Sequence, residues 1–102
     1  MTLDQADIEY LEKLVEHERA FAAQTFQRVH EEMRAHERVH EALTKEYKSL
    51  DFSAMDPERK KYLSASQGRR AREFNMALLQ CDTWRQRMRR AEGMLKKLKE
   101  MR

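Results

Sequence analysis

The sequence predicts an all-α fold: two long helices forming an antiparallel coiled-coil hairpin, completed by a partner or a second copy. Three observations predict it. Charge is sorted by half, with thirteen Asp and Glu against seven Lys and Arg in residues 1–56, and fourteen Lys and Arg against five Asp and Glu in residues 57–102. Each half carries an apolar repeat of seven residues, the period of a coiled-coil seam. The division falls at Asp56-Pro57, which holds the only proline. An acidic helix folded back on a basic one neutralises both along the seam.

Composition bounds the rest. A chain of 102 residues is read as one domain, a single hairpin with helix 1 over about 3–50, a turn over about 51–56 and helix 2 over about 57–101. With 38% charged residues, 40% apolar residues, two glycines and one proline, the mix is that of long helices. Seven Met, four Phe, three Tyr and one Trp are more than a disordered chain of this charge carries. The single cysteine, Cys81, excludes an intrachain disulfide and a multi-cysteine zinc site. No apolar run approaches the ~18–20 residues of a membrane span. The acidic start lacks the features of a signal or transit peptide, so a cytoplasmic or other reducing soluble compartment is expected. A net charge of +3 is too small to imply nucleic acid by itself.

Helix 1 is read from Thr2, where Thr2 and Gln5 have the spacing of a capping box. One core line, taken as heptad position d, runs Ile8, Val15, Ala22, Val29, His36, Leu43, Leu50. The other, position a, runs Glu12, Arg19, Phe26, Met33, His40, Tyr47. The turn begins near Ser49, where Ser and Asp compete for backbone hydrogen bonds. Phe52 and Met55 are expected to fold back as an apolar plug, and Ser53 is an alternative start for a short extra turn. Asp56 is the expected N-cap of helix 2, with Pro57 at its first position and Glu58 near the positive end of the helix dipole.

Helix 2 keeps the repeat, with Lys60, Gln67, Phe74, Cys81, Met88 and Leu95 at a and Leu63, Arg70, Ala77, Trp84, Ala91 and Leu98 at d. The loop length favours a register that pairs Phe26 with Trp84, Val15 with Leu95 and Ala22 with Met88, large residues mostly meeting small ones. Phe26 and Trp84 are the expected main packing layer. The same register gives a polar core layer of His36, His40, Gln67 and Arg70, with His36 facing Phe74 and His40 facing Arg70. Such a layer costs stability and fixes orientation. A hinge or a docking point is the sharper reading of it.

His36-Glu37-Arg38-Val39-His40 is a literal H-E-x-x-H, which on a helix sets two imidazoles on one face to share a zinc. The extended protease pattern would need a glycine and a third histidine where this chain has Leu43 and Glu46. Only Glu73 is placed to be a third ligand. With four His and thirteen Glu in a charged helical chain, a chance match is the better account. No metal, cofactor or catalytic residue is assigned, and no enzyme is expected. Trp84–Leu98 also reads as a basic amphipathic helix suited to acidic partners, but Trp84, Met88, Ala91, Leu95 and Leu98 are already committed to the seam. Cys81 is a small core residue, with His30 the nearest histidine in this register.

The apolar set exceeds one seam. Tyr10, Leu11, Leu14 and Phe21 lie on or beside one flank of helix 1; Met76, Met94 and Met101 lie on the equivalent flank of helix 2, with Leu79 further out. A contiguous apolar stripe of this kind marks a surface that meets something. The expected function is therefore a non-enzymatic protein–protein interaction or assembly protein, such as an adaptor, a chaperone-like protein or an accessory subunit. Its partner is another protein or a homo-oligomer. The alternative is a nucleic-acid-binding module using the basic face of helix 2, and a zinc-binding protein is a distant third. No family resemblance is specific enough to name.

Overall fold

The computed structural model describes residues 3–102 and is an antiparallel hairpin of two helices. Helix α1 spans Gln5–Lys48 and α2 spans Pro57–Glu100, with a short 3₁₀ turn, Phe52–Ala54, between them. The described residues hold no strand. No described helix is long and apolar enough to cross a membrane.

The ends of the helices follow from local hydrogen bonding. Of the expected Thr2–Gln5 box, Thr2 lies outside the described residues. The cap is instead Asp4, whose carboxylate accepts from the Asp7 amide at 2.8 Å while the Asp7 carboxylate accepts from the Asp4 amide at 3.3 Å. This reciprocal pair satisfies two amides that the first turn leaves open. At the other end the Ser49 hydroxyl donates to the Glu46 carbonyl at 2.6 Å, and the Leu50 amide reaches back to Tyr47. Lys45 and Lys48 in the last turn oppose the negative end of the dipole.

The turn is built on two aspartates. Asp51 caps the 3₁₀ segment, accepting from the Ser53 amide at 3.1 Å and the Ser53 hydroxyl at 2.6 Å. Those donors hold its carboxyl below the usual range. Since the folded form favours the carboxylate, this contribution is present above the ordinary Asp range and fades as acid protonates the group. Asp56 then caps α2, accepting from the Glu58 amide at 3.3 Å, with Pro57 at the first helical position as expected. Phe52 packs on Tyr47 with ring centroids 4.6 Å apart, and both it and Met55 are half-buried.

The chain forms two compact units. Unit 1 comprises Met1–Arg28 with Cys81–Arg102, and unit 2 comprises Val29–Gln80. In unit 1 the seam buries Ile8, Ala22, Cys81, Ala91, Leu95 and Leu98, so helices close tightly over small side chains. Two charged residues on its a line are satisfied locally. Glu12 accepts two bonds from Arg102, at 2.7 and 2.9 Å, and Arg19 pairs with Glu16 one turn back. The Glu18–Arg87 pair, at 2.8 Å, joins acidic α1 to basic α2 on the opposite side. Exposed pairs of this kind add little because water and salt screen them, so the seam is held chiefly by its apolar residues.

Unit 2 buries Val29, Met33 and Ala77. Leu43, Leu50 and Leu63 are only half-buried, and the Tyr47 and Ser64 hydroxyls share a hydrogen bond at 3.2 Å. Its seam is thus more polar than that of unit 1.

Neither glycine is required by the backbone, since no described residue has a positive φ. A Cβ on Gly93 would meet nothing within 4 Å, and one on Gly68 would touch only the Arg72 side chain at 3.7 Å. Gly93→Ala should therefore stabilise the chain by about 0.5–1 kcal/mol and raise the thermal midpoint by a few degrees. A lower midpoint in thermal denaturation would mean that α2 is not a regular helix at that position.

Candidate protein-docking flank

A two-helix hairpin buries one stripe of each helix, and the residues beside the stripe decide what else it does. In unit 1 the two sides differ. One side is polar, a groove of ≈ 530 Å³ lined by Glu9, Glu12, Lys13, Glu16, His17, Ala20, Leu95 and Arg102. Hydrogen bonding from Arg19 holds the Glu16 carboxyl below the usual range, and the same pair raises the Arg19 guanidinium. On this flank Glu12 and Glu16 are both paired.

The other side is apolar. A cleft of ≈ 410 Å³ is lined by Leu11, Leu14, Val15, Glu18, Arg87, Arg90, Ala91 and Met94. A smaller one of ≈ 210 Å³, between Leu11, Val15, Met94, Lys97 and Leu98, has almost no polar lining. Leu14 is 51% exposed, Met94 48% and Phe21 54%. One end of this strip is an aromatic edge. Phe21 meets Trp84 edge-to-face at 5.7 Å, and the Arg87 guanidinium lies over the indole at 4.5 Å while donating to Glu18. Arg and Trp fixed in this way form a rigid edge, which lowers the ordering cost of binding.

Beside the expected Phe26–Trp84 layer the geometry adds a ring partner that periodicity did not name. Trp84 is half-buried and meets Phe21, and Phe26 lies under the Arg85 guanidinium at 5.3 Å. An indole is too large to lie wholly between two closely spaced helices, so it rotates to the edge of the seam, where Phe21 waits.

Each residue expected on the flank can now be placed. Leu14, Phe21, Met94 and Met101 are exposed in unit 1, and Leu11 is half-buried at the floor of both clefts. Tyr10, 64% exposed, stands outside the clefts. Met76 and Leu79 are exposed in unit 2, where Met76 lines a shallow groove with Glu32, His36, Arg69 and Glu73. Thr25, which periodicity did not single out, is buried to 8% exposure. It lies one turn from Phe21, on the side of α1 that continues Leu11 and Glu18; its sequence signal is only a small residue next to the d line.

The polar layer of unit 2 is only partly as expected. His36 and Gln67 are half-buried, Gln67 beside Leu43, Tyr47 and Leu63. It is His40, not His36, that meets Phe74, stacked at 5.7 Å with planes 5° apart. Arg70 is not in the core: it is exposed and pairs with Glu73 at 3.5 Å. Keeping a guanidinium in the seam would cost its hydration with no carboxylate there to offset it, so it swings out to one. His40 Nδ1 and the Thr44 hydroxyl are buried with no hydrogen-bond partner. Among the described residues no three His, Cys, Asp or Glu side chains converge on a metal-sized site. The H-E-x-x-H spacing thus yields one imidazole on a phenyl ring and one in an open groove.

Comparison with known proteins finds no matching family model, no matching curated protein and no matching solved structure.

Two substitutions test this packing. Trp84→Ala should cost about 1.5–3 kcal/mol, less than the ~3–5 of a fully buried aromatic, because the ring is only partly buried. His40→Leu should be neutral or stabilise by up to about 1 kcal/mol, since it removes an unpartnered buried nitrogen. Denaturant unfolding checks both; a strongly destabilised His40→Leu chain would show that the imidazole makes an essential bond.

Proposed function

We propose that this chain is a non-enzymatic interaction or assembly protein that docks through the apolar flank of unit 1. The observation that carries the reading is the pair of apolar clefts around Leu11, Leu14 and Met94, with the Phe21–Trp84 edge beyond the Glu18–Arg87 ion pair. Leu14, Met94 and Phe21 are exposed there, and charged groups border them. That is the anatomy of a binding surface, with a desolvated centre and a polar border. An adaptor, a chaperone-like protein and an accessory subunit all use a surface of this kind.

A second reading, a nucleic-acid-binding module on the basic face of α2, is favoured by one observation. Arg89, Arg90, Lys96 and Lys97 are exposed and form no ion pair among the described residues. Binding of that kind is driven by counterion release and falls steeply with salt.

Leu14→Glu with Phe21→Glu should abolish association while leaving the helical circular dichroism nearly unchanged, because both positions stand beside the seam. Binding by the unmodified chain should survive about 0.5 M salt, where the Debye length is a few Å. If binding collapses at that salt and the double variant still associates, the basic face of α2 is the working surface.

A further inference from the structure

The flank of unit 1 carries two rows, and their chemistry is complementary. One step out from the seam, the cap residue Asp4 and then Asp7, Leu11, Leu14, Glu18 and Phe21 of α1 form a row of three acids and three apolar residues, and the first base on the same steps is Arg28, beyond Thr25. In the same place α2 presents Arg87, Arg90, Met94, Lys97 and Met101, three bases and two apolar residues without an acid. The alternating steps of three and four keep each row on one helix face. All of these residues are exposed except the half-buried Leu11. The hairpin itself uses little of this pattern: between the rows, among the described residues, only Glu18 and Arg87 form an ion pair.

An occupant that fits both rows must lay bases and apolar groups over α1 and acids and apolar groups over α2. We infer that this occupant is a second copy of the chain, running in the same direction about a two-fold axis along the helices. The α2 row of each copy then covers the α1 row of the other. The inference rests on the docking reading above and adds the identity of what docks.

Charge selects the direction. A two-fold pair running in opposite directions would set acid row on acid row and base row on base row, and like charges brought together repel. Running in the same direction, Leu14 faces the partner's Met94 and Glu18 faces the partner's Arg90, each contact occurring twice by symmetry. The clefts at Leu11, Val15, Ala91 and Leu98 supply the holes for the incoming side chains, and methionine adapts to such holes. A polyanion laid on the same flank would meet Asp4, Asp7 and Glu18 along with the bases, which disfavours nucleic acid as its occupant.

The test uses two single-cysteine chains, Leu14→Cys and Met94→Cys, each with Cys81→Ala, mixed in equal amounts and oxidised. A disulfide needs Cα atoms within about 7 Å, so the heterotypic product should exceed either homotypic one by at least ~5-fold. Leu14 homotypic disulfides as the main product would mean opposite directions and would overturn the inference. Sedimentation velocity of the unmodified chain over about 1–200 µM should show a monomer–dimer equilibrium. Its dissociation constant should rise by ~100-fold or more in the Leu14→Glu, Phe21→Glu chain, as two central apolar anchors are lost. An unmodified chain that stays monomeric overturns the second copy alone. A monomeric chain whose double variant also keeps every partner of the unmodified chain overturns the docking reading with it.

Discussion

Two helices can hide only one stripe each, and this geometric limit shapes the protein. The seam of unit 1 is filled with Ala22, Cys81, Ala91 and other small or medium residues, which draw the helices close but leave no room for large ones. Trp84 is therefore pushed toward the edge, where it joins Phe21 and Met94, which the heptad already sets beside the seam. Apolar surface left there lowers its free energy by finding a cover, at roughly 25 cal/mol for each Å² removed from water. The proposed docking function is thus tied to the packing of the hairpin: a tight seam leaves the flank exposed.

Charge works at a different level from apolar packing. The sorting of acids onto α1 and bases onto α2 makes the antiparallel pairing consistent, as Glu12 with Arg102 and Glu18 with Arg87 illustrate. Exposed ion pairs contribute too little to hold the fold, but they penalise wrong pairings and orient encounters. In unit 2 the seam is interrupted by His40, Gln67 and Thr44, with two buried polar atoms left unpartnered. Such positions weaken packing locally, and local opening is concentrated where buried apolar contact is sparse.

The hairpin was legible in the sequence because each signal for it is local and redundant. Heptads without a break, a lone proline behind an aspartate and a charge reversal at the same point all specify the same turn. What could not be read was the choice between neighbours a turn apart. Trp84 meets Phe21 beside the seam, and Phe74 takes His40 rather than His36, because side-chain size and hydration decide between positions that periodicity treats alike. Arg70 fits the heptad d line yet lies outside it beside Glu73, since a pattern of spacing carries no information about desolvation. Thr25 is buried beside the d line for the converse reason: a small side chain next to large ones is covered by them.

Trp84 is the only tryptophan, so it reports on the flank without any label. Acrylamide quenching of its fluorescence, followed from sub-micromolar to several hundred micromolar chain, reads whether the flank becomes covered. A partly exposed indole should be quenched in dilute solution. Quenching should then fall and the emission shift to shorter wavelength as the flank is covered at higher concentration. A quenching constant and an emission maximum that stay the same across the whole range would contradict a second copy on this flank.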